Sequence, residues 1–402
     1  MKNFKNGSNH STIKSSNRSL VLRLLNSMEK VSRAQLSRIT GLTKTSITNI
    51  INELLDAGII CETGTADSSS GRKPILLKLV KDALYAVGLY ISRDFVYCNI
   101  VNIKGEIIKE HKGAFDFIEN EQSFLSMIYE NISKVLSASG VSTSKILGIG
   151  VASIGPLDIS RGIILDPPNF RGLKLIPVVE ALKEKFGLEA FLDNDMNASA
   201  IAEKLFGKGK NIANFIYVGV TNGIGAGIIL DDCIFRGCNG FAGEIGHSTV
   251  DIRGERCACG NLGCLELYAS IPVIVNQVKS SVSLGAESTL GTEKDISWTQ
   301  IVAAASQGDS LCLKAVDRLV YYLSAGLVNL VNSFDPEVIF LGHEIAMAGE
   351  LVIKPLNEMI NQNVLFRNSK RVEVELSAFK EHAPCIGAPS IVLNKFFNGE
   401  IG

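Results

Sequence analysis

Residues 243–266, GEIGHSTVDIRGERCACGNLGCLE, constrain this chain more than any other stretch. They hold three of its nine cysteines and one of its five histidines. Zinc takes four soft or borderline ligands in a tetrahedron, and one imidazole with three thiolates is a common structural set. His247, Cys257, Cys259 and Cys264 supply that set, which predicts a structural Zn2+. Gly254, Gly260 and Gly263 let the backbone double back, so that ligands this close in sequence can face one ion. The competing reading is three buried, unligated thiols beside a histidine. Spacing this tight in a glycine-rich loop speaks against it. Glu244 and Glu266 flank the ligands, and a mere metal clip does not need them. The loop is therefore expected to face a ligand pocket as well.

A chain of 402 residues suggests two or three domains. Its 46% hydrophobic content is ample for a core, and 20% charge argues against disorder. Charge is unevenly spread: residues 1–80 carry 12 Lys and Arg against 5 Asp and Glu, leaving 28 against 36 for the rest. A basic head on an acidic body points to a polyanion partner for the head, although solvated lysines alone give the same excess. No apolar run approaches the roughly 18–20 residues of a membrane span. The polar opening MKNFKNGSNHSTIKSSN has no signal-peptide core. An odd number of cysteines, three in a metal pattern, fits a reducing compartment. A cytoplasmic protein is expected.

Residues 1–16 read as a flexible arm, and a helix is expected from Asn17, with Leu20, Val21, Leu24 and Leu25 on one face. Ser32 and Gln35 form a capping-box pattern before a short helix that ends near Thr40, where Gly41 breaks it. Thr43 starts another helix, with Ile47, Ile50, Ile51, Leu54 and Leu55 apolar. This is a helix–turn–helix. Its outward face carries Thr43, Lys44, Thr45, Ser46, Thr48, Asn49 and Asn52, side chains able to approach phosphates and base edges in a major groove, with Arg33 on the preceding helix. A β-hairpin wing follows, with Arg72 and Lys73 at a polar tip fit to reach a phosphate or a narrow minor groove. Turn, charge and wing together favour DNA binding over a small protein-interaction domain.

From about residue 83 strands and helices alternate, which argues for an α/β body. Strands are expected at 86–91, 96–101, 106–109 and 146–152, with a helix at 121–138. The strand pair at 86–101 has a counterpart at 215–230, so a duplicated lobe around a cleft is expected. Gly155 and Asn169 lie in loops after strands, where α/β proteins place ligand groups. Asp193, Asn194, Asp195 and Asn197 stand at a strand end before a helix expected near Ala198. A carboxylate beside an amide suits several sugar hydroxyls, while helix capping is the ordinary alternative for Asn194 and Asp195.

GEIGH, CACGNLGCLE, the Asn194-Asp195 pair and the TNGIGAG turn together resemble the ROK family of sugar kinases and sugar-responsive repressors. The basic head resembles the winged helix of the family's repressor branch. The resemblance implies an α/β fold of two actin-like, ribonuclease H-like lobes around a cleft, preceded by a winged helix–turn–helix. Domains are then expected at 1–80, at 81–195 with a C-terminal helix at about 386–402, and at 196–385. It further implies that Asn194, Asp195, Glu244, His247 and Glu266 bind sugar hydroxyls, with Gly155 and Asn169 in the same pocket. His247 would bind zinc through one ring nitrogen and sugar through the other.

Where the family's kinases carry an Asp-Ile-Gly-Gly-Thr-Lys type loop, this chain has Tyr90 for the aspartate and Ser92-Arg93 for the glycines. Where they carry a glycine turn under the nucleotide, it has Leu341-Gly342-His343-Glu344. The turn around Gly223, Gly225 and Gly227 is kept. Phosphoryl transfer depends on positioning and charge neutralisation, so these losses predict a sensor and no catalysis. The expected function is a sugar-responsive repressor of carbohydrate-utilisation genes that leaves operator DNA when a sugar enters the cleft. The expected partners are operator DNA, a small sugar effector and further copies in a homodimer or homotetramer, with no membrane. A sugar kinase with a DNA-binding appendage and a repressor governed by a protein partner are the alternatives. Glucose, xylose, a hexosamine derivative and a disaccharide all stay open as effectors.

Overall fold

The computed structural model describes residues 10–65, 74–115, 118–168, 170–291, 295–366, 368–369 and 371–401. The head begins with helix α1 (His10–Ser27), which starts inside the stretch expected to be a flexible arm. Strand β1 (Val31–Ser32) and helices α2 (Arg33–Thr40) and α3 (Lys44–Asp56) follow. Their boundaries are set locally: Ser32 and Gln35 close a capping box, Gly41 ends α2 in the left-handed region, and the Thr43 side chain caps α3. Ile47, Ile50, Ile51 and Leu54 turn inward on α3. Strands β2 (Ile60–Thr65) and β3 (Ile75–Leu79) make a hairpin, with β1 completing a three-stranded sheet in the order β1-β3-β2. Three helices and this small antiparallel sheet are the arrangement of a winged helix.

By packing, the chain divides into a unit of Met1–Asn194 with Ala388–Gly402 and a unit of Asp195–Gly387. In the first, β4 (Tyr85–Ile91), β5 (Phe95–Asn102), β6 (Ile107–Ala114), helix α4 (Glu121–Ser139) and β7 (Ile146–Ser153) come in succession. Two short strands, β8 (Leu157–Asp158) and β9 (Ile163–Ile164), then helix α5 (Val178–Phe186) and strand β10 (Ala190–Asn194) complete it. The sheet order is β10-β7-β4-β5-β6, with β10, β7 and β4 parallel and the rest antiparallel. Leu89, Val151, Phe124 and Ile132 are among its fully buried core. Strand β6 runs to Ala114, five residues past the expected end. It is an exposed edge strand, so its solvent-facing EHKGA stretch carries little apolar alternation to read.

The second unit opens with helix α6 (Asp195–Leu205), three residues earlier than expected. Strands β11 (Phe215–Val220), β12 (Ile224–Leu230) and β13 (Cys233–Ile234) precede helices α7 (Glu266–Ala269), α8 (Ile271–Ser283), α9 (Trp298–Ser306) and α10 (Ser310–Phe334). Strand β14 (Val338–Gly342), helix α11 (Glu350–Asn363) and strand β15 (Glu373–Leu376) follow, then helix α12 (Ala383–Phe397), which belongs to the first unit from Ala388 onward. The sheet order is β13-β12-β11-β14-β15. Each unit thus has an antiparallel hairpin beside parallel strands, the duplication legible in the two matching strand pairs.

The last turns of α12 carry the head's first helix. Ser19 Oγ donates to the Phe397 carbonyl at 2.8 Å, Ser15 Oγ donates to the Gly399 carbonyl at 3.1 Å, and the Arg18 guanidinium lies over the Phe396 ring.

Helix α10 is anchored by Asp309, whose carboxylate accepts from the Cys312 amide at 2.9 Å, the Thr289 amide at 2.6 Å, and the Ser288 and Thr289 hydroxyls at 2.9 Å each. Burial alone raises a carboxyl pKa, yet these donors hold Asp309 well below its ordinary 3.8. A lowered folded pKa gives stability that is present above the unfolded value and lost as pH falls through the folded one. Asp309→Asn is therefore expected to cost about 1–2 kcal/mol at neutral pH. It should also flatten the loss of stability below pH 3.8, as read from urea midpoints between pH 2 and 7. Equal midpoints for both proteins at pH 7 would refute this.

Candidate functional site

The four proposed metal ligands converge. Their ligand atoms all lie within 4.8 Å of one another. Cys257 Sγ is 3.7 Å from His247 Nδ1, and Cys259 Sγ is 3.7 Å from Cys264 Sγ. A tetrahedron with metal–sulfur bonds of about 2.3 Å has sulfur–sulfur edges of about 3.8 Å, so the spacing fits one ion of zinc's size. Two bridges fold the loop onto itself, Thr249 with Cys264 and Arg256 with Leu262. Cys257 and Cys264 are buried, Cys259 is exposed and His247 is half-buried. Burial pushes the Cys257 thiol up to about 12, so a cation is what would hold it as a thiolate at neutral pH.

The same loop presents carboxylates. Glu266, the first residue of α7, sets Oε1 3.3 Å from His247 Nδ1 and 3.2 Å from Cys257 Sγ. Its other oxygen faces the turn at Gly223, where an added Cβ would stand 3.5 Å away. Glu244 is held by the backbone at Gly243, whose carbonyl accepts from the Ala226 amide at 2.8 Å. Any side chain at Gly243 would collide with the Ala226 carbonyl, so only glycine lets the loop lie this close to β12. The Glu244 carboxyl sits above its ordinary pKa: burial raises it first, the Asp195 and Glu266 charges add, and His247 opposes. Asp195, Glu244, His247 and Glu266 are therefore one electrostatic group. Asp195 is 4% exposed at the start of α6, and its Oδ1 accepts from the Met196 amide at 3.0 Å.

Gly155 and Asn194 belong to the other unit. There Asn194 ends β10 opposite Ser153, the last residue of β7, and Gly155 follows two residues later. Both thus stand at the carboxyl edge of parallel strands, the usual place for ligand groups in α/β sheets. Asn169 lies outside the described residues, as do Arg72 and Lys73.

On the head, Lys44, Thr45, Asn49 and Asn52 are exposed on α3. Thr43, Ser46 and Thr48 make local bonds: Thr43 Oγ1 accepts from the Ser46 amide at 3.2 Å, and Thr48 Oγ1 donates to the Lys44 carbonyl at 2.8 Å. Arg33 pairs with Glu62 of β2 at 3.0 Å. Among the described residues, no helix is long and apolar enough to cross a membrane.

Sequence reasoning missed a buried contact in the second unit. Tyr217 Oη and His343 Nδ1 lie 2.9 Å apart, beside Asp195. In the sequence His343 stands out only as a departure from a glycine turn, and the 126-residue separation hides its partner.

A family model described as the ROK family matches residues 86–395. The xylose repressor of Caldicellulosiruptor bescii is 32% identical over 394 residues, covering 96% of this chain and 97% of that protein. A solved structure described as a ROK family transcriptional regulator, homolog of E. coli MLC protein, matches with a TM-score of 0.84 at 29% identity, covering 96% of this chain and 97% of that one. A ROK family glucokinase from Streptomyces griseus, solved with glucose and AMPPNP, matches with a TM-score of 0.68 at 25% identity, covering 76% of this chain and 98% of the kinase. From the extent of the family match and the end-to-end similarity to a repressor, this chain belongs to the ROK family.

Proposed function

We propose that this chain is a sugar-responsive transcriptional repressor of carbohydrate-utilisation genes, with a DNA-binding winged helix and D-xylose as its first candidate effector. The observation that carries this reading is where similarity stops. The glucokinase is matched over nearly its whole length yet leaves about a quarter of this chain unmatched, whereas the repressor relatives match almost all of it. The family model likewise begins only at residue 86, after the head. The head is basic, and α3 exposes Lys44, Thr45, Asn49 and Asn52 for a major groove. A homodimer would place two such heads on the halves of a roughly palindromic operator.

His247, Cys257, Cys259 and Cys264 would hold Zn2+, which fixes the loop and the histidine's orientation when bound. Asp195, Glu244, His247 and Glu266 of the second unit would receive sugar hydroxyls, Asn194, Gly155 and Asn169 would be sugar ligands by family resemblance alone, and the chain would work in the cytoplasm. Absence of catalysis is supported by Tyr90, buried within β4, by the Ser92–Asp94 stretch turning between β4 and β5, and by the His343 imidazole filling the turn after β14. An inducer weakens DNA binding only as far as it prefers the non-binding state.

The test is fluorescence anisotropy on the DNA upstream of the chain's own gene, titrated with a sugar panel. D-Xylose is expected to raise the Kd at least about tenfold, a coupling of roughly 1.4 kcal/mol. Operator affinity indifferent to every sugar that binds would sink the reading, and steady ADP formation from Mg-ATP and a sugar would replace it with a kinase. On the head, Asn49→Ala is expected to cost about 1–3 kcal/mol and relax base preference. Lys44→Ala should weaken all sequences alike and lower the salt slope by about one. Equal salt slopes for Lys44→Ala and the unaltered chain would place Lys44 away from phosphate.

A further inference from the structure

His343 follows β14 with φ at +63°, a left-handed conformation that side-chain-bearing residues seldom adopt, and is 4% exposed. Two glycines clear space for its contacts. A Cβ at Gly219 would stand 2.6 Å from His343 Nδ1, and one at Gly342 would stand 1.9 Å from Tyr217 Oη. Tyr217 is fully buried, and burial keeps its phenol well above the ordinary pKa, so it stays a hydrogen donor. The Ser199 hydroxyl donates to the Asp195 carbonyl at 2.7 Å, and the His343 amide faces the phenol oxygen. The phenol oxygen lies 2.9 Å from His343 Nδ1 and is also hydrogen-bonded to the Ser199 side chain, so its hydrogen can be given to Nδ1.

A phenol donating to Nδ1 would set the tautomer. With Nδ1 accepting, the ring hydrogen sits on Nε2, which has no hydrogen-bond partner and lies 3.8 Å from Asp195 Oδ2. A hydrogen facing a carboxylate attracts it, whereas a lone pair there would repel it. The distance is too long for a hydrogen bond and short enough for a small side-chain rotation to make one.

We propose that His343 is a positioning residue for the effector carboxylate: its imidazole, oriented by Tyr217, steers Asp195 Oδ2 through Nε2–H and holds it for a hydroxyl of a neutral sugar. The inference rests on the reading of Asp195 as a sugar ligand. Met196 already holds Asp195 Oδ1, so His343 governs the oxygen left for the ligand.

The test is calorimetric titration of the full chain with D-xylose, using Asp195→Asn, His343→Phe, His343→Gln and Tyr217→Phe. His343→Phe is expected to weaken binding about 10- to 30-fold, the loss of one hydrogen bond to a charged group. His343→Gln, which can present an amide hydrogen from the same place, should stay within about threefold of the unaltered chain. Tyr217→Phe should fall between them. If Asp195→Asn abolishes binding while His343→Phe matches the unaltered chain, the positioning role fails and the sugar site stands. If Asp195→Asn binds normally, the sugar reading itself fails. A ligand-free measurement decides the geometry even where a variant misfolds or D-xylose gives no heat. In the 15N spectrum of histidine-labelled protein, His343 should carry its ring hydrogen on Nε2, and hydrogen on Nδ1 would overturn the proposal.

Discussion

Cys257→Ser should lower zinc content from about one ion per chain to near zero and take thermal stability with it. The loop from Gly243 to Glu266 has little apolar packing of its own. It is held by Ile245 and Leu265, which enter the core of the second unit, and by the four converging ligand atoms. Loss of a ligand leaves two further thiols and an imidazole with no common partner. The cost is expected at about 3 kcal/mol, or a drop in Tm of roughly 6–12 °C for a unit of this size. Effector affinity should fall as well, since His247 Nδ1 and Glu266 Oε1 are placed by the same cluster. Metal analysis by mass spectrometry and scanning calorimetry check this together. A Cys257→Ser chain with full zinc would show that the ligand set is wrong, and a strong chelator should reproduce the variant's Tm in the unaltered protein.

A second large effect is expected far from the metal. Gly150 lies in the middle of β7, paired with Gly88 of β4 on one side and Phe191 of β10 on the other. A Cβ there would stand 1.9 Å from the carbonyl oxygen of Ala388, a backbone atom of α12, with Val392 Cγ2 at 3.3 Å. The neighbouring Gly88 meets the same helix at Pro389, where its own Cβ would be 2.3 Å from the proline ring. The glycine pair makes a flat seat for the helix backbone. Neither strand nor helix can step aside, because β7 is hydrogen-bonded on both flanks. Gly150→Ala is therefore expected to destabilise by about 4 kcal/mol or more, at the upper end for a single substitution. Gly140→Ala is the control: its φ of +67° is strained for alanine but open space surrounds it, so about 1 kcal/mol is expected. Equal Tm values for the two variants would refute the packing argument.

Much of the head could be read because its signals are local. Ser32, Gln35, Gly41 and Thr43 act within four residues of themselves, and the structure uses each as a boundary. The metal ligands were legible for the same reason, all four falling within 18 residues. The start of α1 was not, because residues 10–16 hold a single large apolar side chain, Ile13, and give no apolar periodicity; its Ser15 is placed by a tertiary contact. Helix α6 begins at Asp195 because the acidic residue can serve the first turn itself, with Oδ1 on the next amide. The buried contact of Tyr217 with His343 was invisible, since each residue alone reads as an ordinary strand or turn position. Only the parallel pairing of β11 with β14 brings them side by side.

The docking of α1 on the end of α12 has a consequence for synthesis. Ser15 and Ser19 meet carbonyls that are 384 and 378 residues later in the chain. At about 5–20 residues per second, a ribosome needs roughly 20–80 s to make that stretch. The head has its own small core of Ile47, Ile51, Leu54 and Leu77 and can fold early, as local contacts allow. Its seat does not yet exist. For that interval the contacts of Ser15 and Ser19 have no acceptors, and only completion of α12 and the residues after it supplies them.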